Sequence, residues 1–254
     1  MKLKLPLLWL SLGLFLWFGC SSNSEMDEEY NEMETIDDTE LDDGIVPGTD
    51  SNALKILSLG DSYTIGESVC NTCRFPEQLK DSIREKTGNQ DITLKVIART
   101  GWTTSALLNA LSEETIEDNY DLATLLIGVN NQFQGRPFEQ FETQFPELVT
   151  KAIAYAKGIK KNLIVVSIPD YAYTPYGAGR ESISQGIDKY NNFVQNYCNQ
   201  NEITYVYITD ITRQGLDNPD LIASDRLHPS TLAYSKFISR ILPYALEKIG
   251  YDSD

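Results

Sequence analysis

Four short segments hold residue types that could carry out acyl transfer. A serine hydroxyl attacks a carbonyl once a base takes its proton, and the base must itself be oriented. The chain has one histidine, His228, in Ser224-Asp225-Arg226-Leu227-His228-Pro229-Ser230. Asp225 lies three residues earlier. At that spacing its carboxylate can accept from one imidazole nitrogen, fix the tautomer and leave the other nitrogen free for a serine proton. Taken alone, the pair is as compatible with a structural role as with a catalytic one. Ser62 ends Gly60-Asp61-Ser62, where Gly60 lets the backbone turn closely, yet Gly-Asp-Ser is also ordinary turn composition. Gly101, in Ala98-Arg99-Thr100-Gly101-Trp102-Thr103, could offer its N–H to an anion. In isolation it reads better as a turn glycine. Asn130, in Ile127-Gly128-Val129-Asn130-Asn131, could donate to a developing oxyanion. Alone, an Asn-rich turn is the simpler reading.

These segments follow a repeating pattern of strands and helices. Short β-branched runs over Leu54–Leu59, Ile92–Ala98, Leu122–Ile127, Leu163–Ile168 and Ile203–Ile208 are apolar on nearly both faces, as buried parallel strands are. Helical stretches over Pro76–Lys86, Thr103–Leu111, Phe138–Lys157 and Ser182–Asn199 lie between them. Tyr234, Phe237, Ile238, Ile241, Leu242, Ala245, Leu246 and Ile249 fall on one stripe of a last helix. Pro243 within that stripe predicts a kink, and Pro146 raises the same expectation after Phe138. Alternating β and α predicts a parallel sheet covered by helices, with ligands beyond the carboxyl ends of the strands. Ser62, Gly101 and Asn130 each follow a predicted strand.

Ser62, Gly101, Asn130 and Asp225-x-x-His228, in that order, closely resemble the SGNH hydrolase superfamily, the GDSL esterases and lipases. The resemblance spans about Leu54 to Gly250, and its most specific pieces are Gly60-Asp61-Ser62, Gly128-x-Asn130 and Asp225-x-x-His228-Pro229. Asn131 stands where the family usually has Asp, which bears on loop packing or substrate preference. Arg226 stands where Gly is common. The α/β-hydrolase nucleophile elbow needs Gly two residues after the serine, and position 64 is Thr, so that competing fold is disfavoured. The resemblance implies a three-layer α/β/α domain over residues 54–250, with a five-stranded parallel sheet of flavodoxin-like type. It also implies a mechanism without cofactor or metal. Ser62 attacks an ester carbonyl, His228 takes its proton, and Asp225 orients His228. The N–H groups of Ser62 and Gly101, with the Asn130 amide, hold the oxyanion.

Other residues extend this reading. Tyr171, Tyr173 and Tyr176 follow the fourth strand and Trp102 sits beside Gly101, so these rings could stack on a sugar, line an acyl pocket or pack their own loop. With Asp61 and Asn131 they are the candidate substrate contacts. Cys70-Asn71-Thr72-Cys73 could be a structural disulfide or a redox or metal motif, and the disulfide is favoured behind an export leader. Cys198 could be a buried free thiol or the partner of one of these two.

The front of the chain reads as an export device. Lys2 and Lys4 precede an apolar run from Leu5 to Phe18, too short to span a membrane, and then Gly19-Cys20. This resembles the signal peptide and lipobox of bacterial lipoproteins, with Cys20 lipidated. Trp17 departs from the Leu usual three residues before the Cys. Residues 21–53 carry 12 acids and no Lys or Arg, and are read as a disordered tether that also resembles a surface-export signal. The whole chain has a formal net charge of −16, but from residue 54 onward it holds only 25 acids against 19 bases. A net-negative body without a basic run argues against nucleic acid as a partner. One histidine and four cysteines argue against a zinc-finger-type protein.

The expectation is an exported serine esterase, anchored by lipid to the outer membrane on its periplasmic or cell-surface side. Its favoured substrate is an O-acetylated carbohydrate. Lipase, lysophospholipase or thioesterase activity on longer acyl chains is the enzymatic alternative. A glycan-binding lipoprotein that lost the chemistry, or a redox protein using Cys70 and Cys73, would come from other classes.

Overall fold

A computed structural model describes residues 53–251. The expected leader, the Cys20 lipidation site and the acidic segment up to residue 52 lie outside them. Five strands form one parallel sheet: β1 (Leu54–Gly60), β2 (Ile92–Ala98), β3 (Leu122–Leu126), β4 (Leu163–Val166) and β5 (Thr204–Val206), in the order β2-β1-β3-β4-β5. The strand order reverses at β1, since β2 lies on one side of it and β3 on the other. Gly60 is in register with Ala98 and with Leu126, so the carboxyl ends of these three strands open onto one crevice.

Among the described residues, eight α-helices accompany the strands: α1 (Ser62–Ile65), α2 (Phe75–Thr87), α3 (Thr104–Glu113), α4 (Val129–Phe133), α5 (Phe138–Tyr155), α6 (Glu181–Gln200), α7 (Thr209–Thr212) and α8 (Thr231–Lys248). Helix α2 packs with α8, and α5 packs with α3. Helices α5 and α6 meet through rings: Phe141 lies 4.6 Å from Tyr190 and Phe145 lies 6.2 Å from Phe193, centroid to centroid. The two groups cover the sheet in the expected three-layer arrangement. Strands β3 and β4 are buried on both faces: all five residues of β3 and all four of β4 are buried.

Two strands differ in length from the sequence expectation. Strands β4 and β5 are shorter than the apolar runs that mark them. The Ser167 hydroxyl accepts the N–H groups of Ile208 (2.8 Å) and Thr209 (3.1 Å), replacing backbone partners where the ladder would otherwise continue. Helices α5 and α8 hold Pro146 and Pro243 in their interiors, where the sequence places them. Each proline removes a hydrogen bond at a cost of about 3 kcal/mol. Burial of Phe141, Phe145, Leu148 and Val149 in one helix, and of Tyr234, Phe237, Ile238 and Ile241 in the other, offsets it at about 1.5–3 kcal/mol per side chain. Among the described residues, no helix is long and apolar enough to cross a membrane.

Candidate active site

Ser62 is the first residue of α1, immediately beyond β1. Two local features force the turn. Gly60 is packed so closely that a Cβ there would collide with the Thr64 hydroxyl and the Leu126 carbonyl. Asp61 then caps α1, its Oδ1 accepting from the Tyr63 N–H at 3.1 Å. Asp61 is fully buried, and its Oδ2 has no hydrogen-bond partner. Burial pushes the Asp61 carboxyl up to about pKa 7, and the backbone N–H groups of Tyr63 and Gly128 offset only part of this.

His228 and Asp225 meet as their spacing predicts. His228 Nδ1 lies 2.5 Å from Asp225 Oδ2, and the backbone N–H groups of Leu227 and His228 each donate to Asp225 Oδ1 at 3.0 Å. The Ser68 hydroxyl donates to Asp225 Oδ2 at 2.7 Å. Burial would raise the Asp225 carboxyl. The hydrogen bonds from the His228 ring and backbone, Ser68 and Leu227 outweigh it and hold the pKa at about 2. The carboxylate is therefore ionised down to about pH 2. The Tyr63 ring meets the His228 ring edge-on at 5.7 Å, and His228 Nε2 has no hydrogen-bond partner among the described residues.

The oxyanion-type donors converge on the same place. Gly101 has φ +85°, a left-handed conformation that glycine adopts without strain. Two side chains of the α4 segment hold its loop. Asn130 Nδ2 donates to the Trp102 carbonyl at 3.0 Å, and Gln134 Nε2 donates to the Gly101 carbonyl at 3.1 Å. The Asn130 amide keeps a second N–H, and the backbone N–H groups of Ser62 and Gly101 have no acceptor among the described residues.

Ser62, Gly101, Asn130 and His228 line one cavity of about 240 Å³, together with Tyr63, Thr100, Val129, Phe133, Gln134, Tyr171 and Leu227. Ser62 and His228 face it without a direct hydrogen bond between them. Such a site offers a hydroxyl, a base with a fixed tautomer and several N–H donors against an apolar wall.

The candidate substrate contacts divide. Tyr171 lines the cavity and its hydroxyl donates to Gln132 Oε1 at 2.8 Å. Tyr176 is 49% exposed and stands in a cluster with Tyr171 and with Phe133, itself 50% exposed, at centroid distances of 6.4 and 6.1 Å. Trp102 is partly buried and Tyr173 packs on the core; neither lines the cavity. Asp61 and Asn131 cannot touch a substrate, because both are fully buried. Asn131 instead pins the start of α3, accepting from the Thr104 N–H at 3.0 Å and donating to its hydroxyl at 2.8 Å. Cys70 and Cys73 form a disulfide, and Cys198 is a buried free thiol pushed up to about pKa 12 by desolvation. Sequence reasoning missed Phe133 and Gln134, although they stand three and four residues beyond Asn130, the spacing that places side chains on one helical face. It also missed Ser68, for which the sequence carries no local signal.

Solved structures share this architecture. A lipase/acylhydrolase from Enterococcus faecalis aligns with TM-score 0.61 at 20% identity, over 78% of this chain and 96% of its own. The acetylxylan esterase Axe2 from Geobacillus stearothermophilus aligns with TM-score 0.59 at 18% identity, over 78% and 95%. The psychrotrophic esterase EstA from Pseudoalteromonas sp. aligns with TM-score 0.56 at 19% identity, over 77% and 98%. At these identities the likeness establishes the fold. No curated protein matches the chain by sequence. The GDSL-like Lipase/Acylhydrolase family matches residues 58–236, most of the described body, and the chain belongs to this family of ester hydrolases.

Proposed function

We propose that this chain is an exported serine esterase that removes short acyl groups, acetyl foremost, from carbohydrate hydroxyls. The observation that carries the reading is the ionised Asp225 held against His228 Nδ1 at the edge of the cavity that Ser62 faces. His228 Nε2 takes the Ser62 proton as Oγ attacks the ester carbonyl. The tetrahedral oxyanion is held by the N–H groups of Ser62 and Gly101 and by the free N–H of Asn130. Collapse expels the alcohol, which takes the proton from His228. Water then attacks the acyl-enzyme through the same base and releases the carboxylic acid and Ser62.

Two observations support a small acyl group on a sugar. The cavity, about 240 Å³, lies below the size usual for drug-sized ligands. Phe133 and Tyr176, each about half exposed, offer ring faces beside it for the apolar face of a pyranose. The acetylxylan esterase among the structural neighbours acts on such a polymer. A second reading, hydrolysis of longer acyl chains, rests on the apolar lining by Val129, Phe133, Tyr171 and Leu227. Rates on p-nitrophenyl acetate and octanoate separate the two. The first reading predicts at least tenfold higher kcat/KM for acetate and release of acetate from acetylated xylan; preference for octanoate would reject it. The lipobox-like Gly19-Cys20 supports anchoring in the outer membrane, and a Cys20→Ala chain that still partitioned with membranes would overturn that part.

A further inference from the structure

The loop between α1 and α2 reaches both arms of the site. Glu67 accepts from the Thr100 hydroxyl, next to Gly101. Ser68, one residue on, donates to Asp225 Oδ2 across 157 residues of chain. The Cys70–Cys73 disulfide closes the following turn. Gln78 then donates to the Cys73 carbonyl and, at 3.3 Å, to that of Thr231 at the start of α8. Ser68 is held in the left-handed region at φ +67°, which costs a non-glycine residue of order 1 kcal/mol. Strain of this kind persists only where the surroundings fix it.

The other partners of the Asp225 carboxylate, Leu227 and His228, lie within its own turn. Those bonds would survive a rigid swing of the whole 225–228 turn away from Ser62. Ser68 is the one partner, among the described residues, that ties the carboxylate to the segment carrying Ser62. We propose that Ser68 is a positioning residue: its hydroxyl, presented by the loop that the Cys70–Cys73 disulfide closes, fixes Asp225 and through it sets His228 against Ser62. The inference rests on the proposed Ser62–His228–Asp225 mechanism.

A double-mutant cycle on the full chain tests it, reading kcat and KM on p-nitrophenyl acetate and the rate of fluorophosphonate labelling of Ser62. Ser68→Ala should lower kcat and the labelling rate about tenfold, leave KM within twofold, and leave the melting temperature within a few degrees. The acid limb of its pH profile should move to higher pH, because an Asp225 relieved of one donor binds the imidazolium more strongly. In an Asp225→Ala background, Ser68→Ala should cause no further loss, since the hydroxyl then has nothing to hold. Should Ser68→Ala fail to fold, Ser68→Gly serves, because glycine adopts φ +67° freely. Wild-type kcat and pH profile in the Ser68 variant, or an equal loss in both backgrounds, overturns the proposal. If Asp225→Ala alone keeps full activity, the underlying mechanism fails with it, and that outcome is distinct from a Ser68 variant that is silent while Asp225→Ala collapses.

Discussion

Replacing Asp61 by Asn should stabilise the fold at alkaline pH and lose that advantage in acid. The Asp61 carboxyl is fully buried, one oxygen has no partner, and its pKa rises from 3.8 to about 7. The folded state therefore keeps a proton that the unfolded chain releases between these values. Stability contributed by this group is greatest below pH 3.8 and falls as pH rises toward 7. About three pKa units correspond to roughly 4 kcal/mol of destabilisation at pH 8. Asn keeps the oxygen that accepts from the Tyr63 N–H, but buries an NH2 where Oδ2 stood, at about 1–3 kcal/mol. The net gain at pH 8 is about 1–3 kcal/mol, or roughly 3–10 °C in Tm for a body of this size. Thermal unfolding of both proteins by circular dichroism from pH 4.5 to pH 8 measures it. The difference in Tm should shrink to zero or change sign by pH 4.5. A constant difference across the range would show that Asp61 does not carry this titration.

Further consequences concern the site and the remaining thiol. Asn130→Ala should lower kcat about 10²–10³-fold on p-nitrophenyl acetate, since it removes one oxyanion donor, with a smaller change in KM; a loss under threefold would remove Asn130 from that role. Because Asp225 stays ionised down to about pH 2, its own protonation should add no step to log kcat/KM between about pH 4 and pH 6. A steepening of the profile in that range that disappears in Asp225→Asn would place the Asp225 titration there. Cys198, buried with its thiol pushed up to about 12, should resist iodoacetamide at pH 8 in the folded chain and react only after denaturation. Rapid labelling of native protein would contradict its burial.

How far the chain could be read from its sequence depended on how local each signal was. Strand β2 runs over the predicted Ile92–Ala98 because the β-branched run is itself the signal, although this edge strand buries only Ile92 and Ile97. The Asp225–His228 pair was legible because three residues of one turn suffice to make it. The ends of β4 and β5 were not, since they depend on the Ser167 side chain, which bridges two chain segments some 40 residues apart. Asp61 and Asn131 looked like substrate contacts because they adjoin Ser62 and Asn130. Their side chains turn inward, to the α1 cap and to Thr104. Ser68 could not be found from sequence, since its contact with Asp225 exists only once β1 and the loop before α8 reach the same sheet edge.

The proposed mechanism requires Ser62 to be the nucleophile. Treating the folded chain with a fluorophosphonate and measuring intact mass and the modified peptide tests it directly. A single adduct is expected, on Ser62, with ester hydrolysis lost in proportion to labelling and no adduct in Ser62→Ala. Folded protein that takes no label, or a Ser62→Ala chain that still labels and hydrolyses p-nitrophenyl acetate, would contradict it.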